Sequence, residues 1–419
     1  MHYNRPHARA KWGPMAKDWE AGVNYPRLRQ ERLKKAQEAI KAAGLGAMLS
    51  FNFDNIRYIT STHIGEWCRD KWMRYCFCPT EGVPYLWDPA PAAKRLTCPW
   101  LPKDHIQNCV TNMSGGVPPS ANVQADFVKQ IKKVMAEFGV EKKPLGVDMI
   151  EFTMLRALEK EGIEVVDGQQ AMLNAREVKT EDEIELMKFA AGMVDAVYED
   201  IARAIRPGVL ESDLVALATH ELFKKGAERV ECINSVSGPR GAPHSHTFSD
   251  RMIQPGDMIF LDLMHSFNGY HTCYYRTFIC GKPNKHQIEA YETCSKWVSD
   301  AIDAIKPGVT TADIVSVWPK AEDFGFPGER EALFLQFGHG IGLGLHERPI
   351  LSRLFCLDHP TTIKEGMVFA VECWKGAADG SGAARIEEEV VVTKDGCEII
   401  TNYPSDHLIS CGLPGCEVY

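Results

Sequence analysis

The sequence predicts a mixed α/β protein of two domains, the second of which is built from two similar halves. The chain of 419 residues is longer than one ordinary hydrophobic core accommodates, since domains typically contain about 150 residues. In the first half, short apolar segments follow an amphipathic helix, a pattern typical of a small α/β unit. In the second half, AIRPGVLESDLV at 204–215 recurs as AIKPGVTTADIV at 304–315.

The amino-terminal domain is expected to begin with a helix and to continue as a mixed sheet. Apolar residues recur at helical spacing through RLRQERLKKAQEAIKAAG until Gly44 ends the pattern. The short apolar segments AMLSF, NIRYIT, YCFCP and VPYLWD each end at a turn residue and predict strands. Thr180 and Glu183 have the spacing of a capping box at the start of a long helix. We therefore expect domains at residues 1–172 and 173–419.

The internal repeat indicates how the second domain is organised. Each copy consists of a long amphipathic helix, a Pro-Gly turn and a second helix, and a strand-rich segment follows each copy. A single match of this kind is compatible with coincidence, because helices commonly end near Pro-Gly. Two copies at a regular offset favour two similar α/β halves around a pseudo-twofold axis. The seam between such halves is a natural place for a functional site.

The composition limits the classes of function to be considered. The formal net charge is −9, the isoelectric point is about 5.9 and there is no long run of Lys or Arg, which argues against nucleic-acid binding. No apolar stretch approaches the ~20 residues that span a bilayer, and the amino terminus lacks the apolar part of a signal peptide. The 14 cysteines are scattered, which favours free thiols. These observations predict a cytoplasmic protein with no membrane or nucleic-acid partner.

Acidic residues within apolar strands are the main chemical signal in the second half. Asp262 ends the run MIFLD, Glu372 ends VFAVE, and Glu387 lies in ARIEEEVVVT. A carboxylate in such a segment is costly to bury unless it is paired, protonated or bound to a cation. Carboxylates with an imidazole suit Mn, Fe, Co or Zn, and two ions about 3.5–4 Å apart would activate water. The alternative is a buried network of ion pairs with the arginines Arg240, Arg276 and Arg385.

The histidines of this half divide into candidates for the site and structural residues. His339 lies in a Gly-rich segment that permits close backbone approach, which favours a role in the site. In the Pro-bounded segment APHSH, His244 has a stronger claim than His246, although both are compatible with a solvated loop. His265 and His271 alternate with apolar residues, so the exposed face of a strand is expected for both.

Six segments between residues 180 and 405 resemble, in order and spacing, the pita-bread superfamily of creatinase, prolidase and aminopeptidase P. They are SGPRGAPH, PGDMIFLDL, GYHTCYYRTF, FGHGIGLGLHERP, EGMVFAVEC and ARIEEEVVVT. The first half is most similar to the dimethylsulfoniopropionate lyase branch, through NIRYIT, VPYLWD and LGVDMIEFTMLRALEKEGIEVVDG. The resemblance implies a creatinase-like amino-terminal domain, a pseudo-twofold pita-bread catalytic domain and a homodimer.

The resemblance also implies roles for individual residues. The family's five metal positions correspond here to Asp262, Cys273, His339, Glu372 and Glu387. Its two histidines that do not bind metal correspond to His244 and His346. At Cys273 the family's peptidases have a bridging aspartate, so a soft sulfur replaces an oxygen donor and a standard two-metal centre is not expected. The lyase branch has a catalytic aspartate where this chain has His346, so lyase activity does not transfer directly.

These residues predict an enzyme that breaks a C–N or C–S bond in a small zwitterionic or cationic molecule. The expected catalytic residues are His244 and His346, for proton transfer, and Glu372. The expected substrate-binding residues are Trp67, Arg385 and His339, with Trp72 and Trp87 as further candidates for cation–π contact or for ordinary core packing. We expect at most one weakly held Fe, Zn or Mn ion, or none. The alternatives are a metal-dependent Xaa-Pro dipeptidase or aminopeptidase and a non-catalytic pita-bread module that binds proteins.

Overall fold

The chain folds into two compact units. The computed structural model describes residues 22–65, 67 and 73–412. Within these residues, Tyr25–Arg176 form one unit, and Asn24 with the residues from Glu177 onward form the other. The sequence places the division after residue 172, which lies inside the helix Gln169–Glu177.

The amino-terminal unit is a mixed sheet with helices around it. Its strands are β1 (Ala47–Ser50), β2 (Tyr75–Pro79), β3 (Tyr85–Asp88), β4 (Ile106–Asn108), β5 (Leu145–Val147) and β6 (Val165–Asp167). Its helices are α1 (Tyr25–Ala42), α2 (Phe53–Thr60), α3 (Pro91–Thr97), α4 (Val123–Glu137), α5 (Phe152–Lys160) and α6 (Gln169–Glu177). The strand order is β4-β3-β2-β1-β5-β6, with β2 antiparallel to both neighbours and the other pairs parallel. The prediction of a mixed sheet is confirmed.

The segment NIRYIT does not form a strand, so that prediction was wrong. It lies in α2, where the Asn52 side chain accepts hydrogen bonds from the backbone N–H groups of Asp54 and Asn55 at 2.9 and 3.1 Å. Ile56 and Ile59 are buried at helical spacing. Periodicity alone does not distinguish helix from strand in so short an apolar segment, and the helix cap favours the helix.

Two sheets form the carboxyl-terminal unit. Their strands are β7 (Arg229–Ser237), β8 (Met258–Phe267), β9 (Tyr270–Cys280), β10 (Gln336–Gly340), β11 (Glu347–Leu351), β12 (Val368–Gly376), β13 (Ala383–Val392), β14 (Cys397–Ile399) and β15 (Ile409–Cys411). The strand orders are β15-β9-β8-β7 and β11-β10-β12-β13-β14. The sheets meet through β9 and β13, where the Thr277 hydroxyl donates to Arg385 O at 2.7 Å and accepts from Arg385 N at 2.9 Å.

Each sheet has its own helices and hydrophobic core. The helices are α7 (Glu181–Ala204), α8 (Glu211–Lys225), α9 (Lys285–Asp303), α10 (Thr311–Val315) and α11 (Arg353–Cys356). Apolar residues of α7 and α8 pack on β8 and β9, and those of α9 and α10 pack on β12 and β13. The predicted capping box of α7 is confirmed, since Thr180 N donates to Glu183 Oε2 at 2.8 Å and Glu183 N donates to Thr180 Oγ1 at 3.4 Å. Among the described residues, no helix combines the length and apolar character needed to cross a membrane.

The two copies of the repeat make equivalent backbone hydrogen bonds. Gly208 N donates to Ile253 O at 2.9 Å, and Gly308 N donates to Ile363 O at 3.0 Å. The return bonds, from Ile253 N to Val209 O and from Ile363 N to Val309 O, are both 2.8 Å long. Each isoleucine leads into the strand that carries an acidic residue of interest, Asp262 in β8 and Glu372 in β12. These equivalent contacts support the predicted pseudo-twofold arrangement.

Glu211 binds two points, Ser237 and Ser249, that flank most of the loop SGPRGAPHSH between β7 and β8. This residue begins α8 and its side chain is fully buried. One carboxylate oxygen accepts from the backbone N and the hydroxyl of Ser237 at 2.8 and 2.7 Å. The other accepts from the backbone N and the hydroxyl of Ser249 at 2.9 and 2.8 Å, and from Arg240. The position of the loop therefore depends on one buried side chain.

We expect Glu211→Ala to lower the free energy of unfolding by about 3–5 kcal/mol, because it leaves Arg240 and several donors without their acceptor. The matched control is Thr311→Ala at the equivalent position of the second copy, where only the bond from Thr361 N to Thr311 Oγ1 is lost. That control should cost about 1–3 kcal/mol. Chemical denaturation measures both variants, and equal losses would contradict the anchoring role of Glu211.

Candidate active site

A cavity of about 290 Å³ lies in the carboxyl-terminal unit and is lined by residues of both sheets. Its walls combine acids, a thiol, imidazoles and aromatic rings. The lining residues are Asn234, His246, Asp262, Met264, Cys273, Tyr275, Phe334, Phe337, His339, His346 and Glu372. Such a mixture of apolar walls and a few convergent polar groups is typical of a small-molecule site.

The register of the strands brings the polar side chains together. Asp262 in β8 pairs with Tyr275 in β9, and Glu372 in β12 pairs with Glu387 in β13. Cys273 is two residues before Tyr275 and therefore points to the same face of β9. Because β9 and β13 are the strands through which the two sheets meet, acids from both sheets converge on one place.

Cys273, His339 and Glu387 form a compact group of potential metal-binding atoms, here called the donor cluster. One donor atom from each lies within 4.8 Å of the other two. The Cys273 thiol lies 3.5 Å from Asp262 Oδ1 and 3.8 Å from Glu387 Oε2, and His339 Nε2 lies 4.0 Å from Glu387 Oε1. Glu387 Oε1 is buried without a hydrogen-bond partner among the described residues. A divalent cation would satisfy this oxygen, so the residues fit a metal.

Burial determines the protonation of the cluster. It raises the pKa of Asp262 to about 7, and the nearby Glu372 carboxylate adds to that shift. Burial also raises the pKa of Glu387 well above its usual value, again with a contribution from Glu372. The pKa of the Cys273 thiol is raised by burial and by the same acids. The thiol is therefore protonated at neutral pH in the protein alone, and binding of a cation would favour the thiolate.

The His339 ring is oriented as a neutral ligand. Its Nδ1 lies 3.0 Å from Gly340 O. Because a carbonyl oxygen only accepts, Nδ1 carries the hydrogen and Nε2 keeps the lone pair that binds a metal. Burial lowers the pKa of His339 to about 3, so the ring does not take up a proton near neutral pH.

Arg385 belongs to the framework of the site, and its predicted role in substrate binding stays a prediction. Its side chain is 1% exposed and does not line the cavity. Nη2 donates to Glu372 Oε2 at 2.5 Å, and Nη1 donates to the carbonyl oxygens of Phe334 and Leu335 at 2.7 and 3.2 Å. The guanidinium carbon lies 5.1 Å from the centre of the Tyr275 ring. Arg385 thus neutralises Glu372 and holds the segment that precedes β10.

Ion pairing with arginine accounts for one of the three predicted acids. Glu372 pairs with Arg385. The other two candidate arginines are engaged with different acids, Arg276 with Glu388 and Arg240 with Glu211. In the described part of the chain, Asp262 and Glu387 form no ion pair with Lys or Arg. The cavity therefore retains buried acidic groups that a bound cation would compensate.

Three further histidines were candidates for the site, and of these His246 and His346 line the cavity whereas His244 does not. The rings of His346 and His339 have centres 4.3 Å apart, and burial lowers the pKa of His346. His346 is therefore neutral at pH 7 and able to accept a proton. His244 stacks on Phe260 at 5.2 Å with an interplanar angle of 4°, behind the cavity wall. The catalytic role assigned to His244 stays a prediction.

His265 and His271 are buried, so the prediction that they lie on an exposed strand face was wrong. His265 Nε2 lies 3.0 Å from Ala190 O in α7. His271 Nε2 lies 3.7 Å from Glu231 Oε2, and His271 N donates to Gly342 O at 2.7 Å. The hairpin of β8 and β9 is thus covered by α7 and by the segment after β10, which the alternation of residue types does not reveal.

The tryptophans were predicted to bind a cationic substrate. Trp67 lies in the amino-terminal unit with 60% of its surface exposed, and its role stays a prediction because the lining residues of the cavity all come from the other unit. Trp87 is buried in the sheet, 5.1 Å from the Tyr75 ring and 5.8 Å from the Tyr85 ring. It is therefore a core residue. Trp72 lies outside the described residues.

Several residues that line the cavity were not predicted from the sequence. Three of them lie two positions from a predicted ligand in the same strand, namely Met264 from Asp262, Tyr275 from Cys273 and Phe337 from His339. Because residues two apart in a strand share a face, this spacing is a signal that identifies them. Asn234 donates to Asp262 Oδ2 at 3.3 Å, but it lies in β7 and only the register of the sheet places it there.

The comparison with known families agrees with this geometry. The model of metallopeptidase family M24 matches residues 185–394, slightly more than half of the chain, and this range contains the whole donor cluster and every residue that lines the cavity. The chain belongs to metallopeptidase family M24. Relatives in this family include enzymes named as a lyase and as dipeptidases, so this M24 protein is an enzyme of the pita-bread superfamily.

Individual relatives of this M24 enzyme differ in activity. The dimethylsulfoniopropionate lyase DddP of Roseovarius nubinhibens is 28% identical over 406 residues, which cover 92% of this chain and 89% of that protein. The putative dipeptidase YkvY of Bacillus subtilis is 30% identical over 286 residues, which cover 67% and 76%. The solved structure of an Xaa-Pro dipeptidase from Bacillus anthracis matches with a TM-score of 0.73 at 24% identity, over 91% of this chain and 99% of that chain. The predicted fold is confirmed.

We expect protein purified without added metal to hold fewer than two tightly bound divalent ions per chain, because Cys273 stands where the resemblance places a bridging carboxylate. Cys273→Asp should raise the metal content, and Cys273→Ser should lower affinity for zinc and iron. Elemental analysis measures the content, with the exposed thiol variant Cys232→Ser as control. Two tightly held equivalents in the wild-type protein would contradict this expectation.

Proposed function

We propose that this enzyme cleaves a C–N or C–S bond in a small zwitterionic or cationic molecule that is not a peptide. The observation that carries the proposal is the thiol of Cys273 at the centre of the donor cluster, 3.5 Å from Asp262 and 3.8 Å from Glu387. A thiolate, an imidazole and a carboxylate form a softer donor set than the oxygen-rich set that holds two hard ions. Such a site favours chemistry other than two-metal peptide hydrolysis.

The walls of the cavity favour a substrate with a positive group. The aromatic walls include Phe334 and Phe337, whose ring centres lie 5.4 Å apart. Aromatic faces attract onium groups by cation–π interaction. A volume of about 290 Å³ suits a small molecule.

The proposed roles follow from the contacts of each residue. Cys273, His339 and Glu387 would hold a divalent ion such as Fe, Zn or Mn, with Asp262 beside them. When bound, such an ion supplies Lewis-acid polarisation of the substrate. His346, neutral because burial lowers its pKa, accepts the proton released from the substrate. Glu372, tied to Arg385 and lining the cavity, orients the reacting group.

The extent of the similarities also supports this proposal. The match with the lyase spans 92% of this chain, whereas the match with the putative dipeptidase spans 67%. We further propose a cytoplasmic homodimer, because the resemblance implies a dimer and the cysteines that the structure describes are free thiols.

A metal-dependent Xaa-Pro dipeptidase is the second candidate function. It is favoured by the dipeptidases among the relatives and by the segment HGIGLGLHERP, which contains both His339 and His346. The donor cluster argues against it, because a thiol at position 273 does not bridge two hard ions as a carboxylate does.

We expect a panel of betaines, sulfonium acids and guanidino acids to contain a good substrate, and Xaa-Pro dipeptides to be poor substrates. The assays use wild-type enzyme without added metal and with Fe, Zn or Mn. Phe337→Leu should raise KM for the cationic substrate by removing a cation–π contact, at a cost of about 0.5–2 kcal/mol. Dipeptide cleavage with kcat/KM of about 10⁴ M⁻¹s⁻¹ or more would overturn the proposal.

We expect His346→Ala to lower kcat by about 10²- to 10⁴-fold, the usual contribution of a general acid or base. Folding and metal content should be unchanged, since His346 lies at the cavity surface and outside the donor cluster. The matched control is His220→Ala, because His220 is an exposed histidine of α8. Retention of more than about a third of kcat by His346→Ala would exclude the proposed role.

A further inference from the structure

His244 and His246 form a hydrogen-bonded pair of imidazoles at the edge of the cavity. Their Nδ1 atoms lie 3.2 Å apart, and their ring centres lie 4.0 Å apart at an interplanar angle of 62°. His246 lines the cavity, whereas His244 stacks on Phe260 behind it. Two ring nitrogens at this distance bond only if one carries a hydrogen and the other does not. The pair therefore has two possible tautomeric arrangements.

The buried surroundings of His244 select one of these arrangements. Its Nε2 is buried and has no hydrogen-bond partner among the described residues. An N–H group in such a place loses a hydrogen bond that it makes in water, and buried N–H groups without partners are rarer in proteins than unpaired acceptors. The hydrogen of His244 is thus favoured on Nδ1, from which it is donated to His246 Nδ1. His246 then carries its own hydrogen on Nε2.

The pair stays neutral near pH 7. The pKa values of both histidines are lowered by burial first and then by the positive charge of Arg385, and His246 contributes a further decrease for His244. Aromatic rings also lie near the pair, with Tyr275 at 5.8 Å from His244 and Phe334 at 6.1 Å from His246. The hydrogen bond is therefore one between two neutral rings.

The loop that carries the pair is held in place at several points. Glu211 binds Ser237 and Ser249, which flank most of it, and Ser235 N donates to Thr247 O at 3.1 Å. Within the loop, the Ser245 hydroxyl donates to Arg240 O at 3.3 Å. The geometry of the two imidazoles is thus part of the fold.

We propose that His246 presents its Nε2–H to the cavity as the hydrogen-bond donor for the carboxylate of a substrate, and that His244 is the positioning residue that fixes this tautomer. The negative end of a zwitterion would then lie at His246 while its positive end lies against the aromatic rings of Phe334 and Phe337. This inference rests on the proposed function, but only in requiring that the cavity binds a molecule with a carboxylate group.

Nitrogen NMR of ¹⁵N-histidine-labelled protein tests the tautomers without any substrate. We expect His246 to be protonated on Nε2 and His244 on Nδ1. Protonation of His246 on Nδ1 would overturn the inference. The control is His220→Phe, because His220 is an exposed residue of α8. This substitution should leave the nitrogen resonances of His244 and His246 unchanged. Because this result does not depend on turnover, it stands whether the enzyme cleaves zwitterions or dipeptides.

Substitutions at position 244 test the positioning role. An asparagine side chain at this position places its amide nitrogen near the position of Nδ1 in His244, and a glutamine side chain places it near the position of Nε2. A phenylalanine ring retains only the stacking on Phe260. We expect His244→Asn to preserve the His246 tautomer and His244→Gln and His244→Phe to lose it. If Gln preserves activity while Asn does not, His244 acts directly on the ligand through Nε2 and the positioning role is excluded.

Acetate, with acetamide as the uncharged control, tests the role of His246 as a carboxylate donor. Acetate should shift the His246 Nε2 resonance and acetamide should not. His246→Phe should weaken acetate binding, and raise KM for a carboxylate substrate, by about 10- to 100-fold, as expected for a hydrogen bond to a charged group. If a saturating concentration of acetate does not shift the His246 Nε2 resonance, His246 does not bind a carboxylate. That result would overturn the inference even if both histidines have the expected tautomers.

Discussion

The structure of the catalytic unit depends on the burial of acidic side chains where its two sheets meet. Burying a carboxylate is costly unless a positive charge or a proton compensates it. Arg385 compensates Glu372 and also binds the carbonyl oxygen of Phe334, so the same guanidinium shapes the cavity wall. Asp262 and Glu387 have no such partner in the described chain, and their raised pKa values reflect this. The fold itself thus creates a place for a cation.

The residues around this cation position have three different roles in the proposed site. In the proposed site, the thiol of Cys273 and the lone pair of His339 would determine which cation fits, because sulfur and imidazole are softer donors than oxygen. His246 and His346 remain neutral, since burial lowers their pKa values, and so offer a hydrogen or a lone pair at neutral pH. The aromatic rings of Phe334 and Phe337 lie in the cavity wall, where they would attract a positive group. These features are the basis of the proposal that the substrate is a small zwitterion.

Much of this arrangement was predictable from the sequence, and the errors have physical causes. Asp262 and Glu387 were identifiable because a carboxylate in an apolar strand needs a partner, a rule that holds in any fold. NIRYIT was assigned to a strand because a short apolar segment does not reveal its helix cap. His271 was misplaced for another reason: alternation along a strand shows which residues share a face but not what covers that face. What covers a strand face depends on contacts with residues that are distant in the sequence.

The duplicated architecture separates the residues that maintain the fold from those that determine the reaction. The backbone bonds at Ile253 and Ile363 are the same in both copies, although Glu211 in one copy corresponds to Thr311 in the other. The residues of the donor cluster lie further along the chain, in strands that pair through backbone hydrogen bonds. This pairing does not depend on which side chain a residue carries. A single substitution such as that at Cys273 can therefore alter one half of the centre while the other half keeps its ligands.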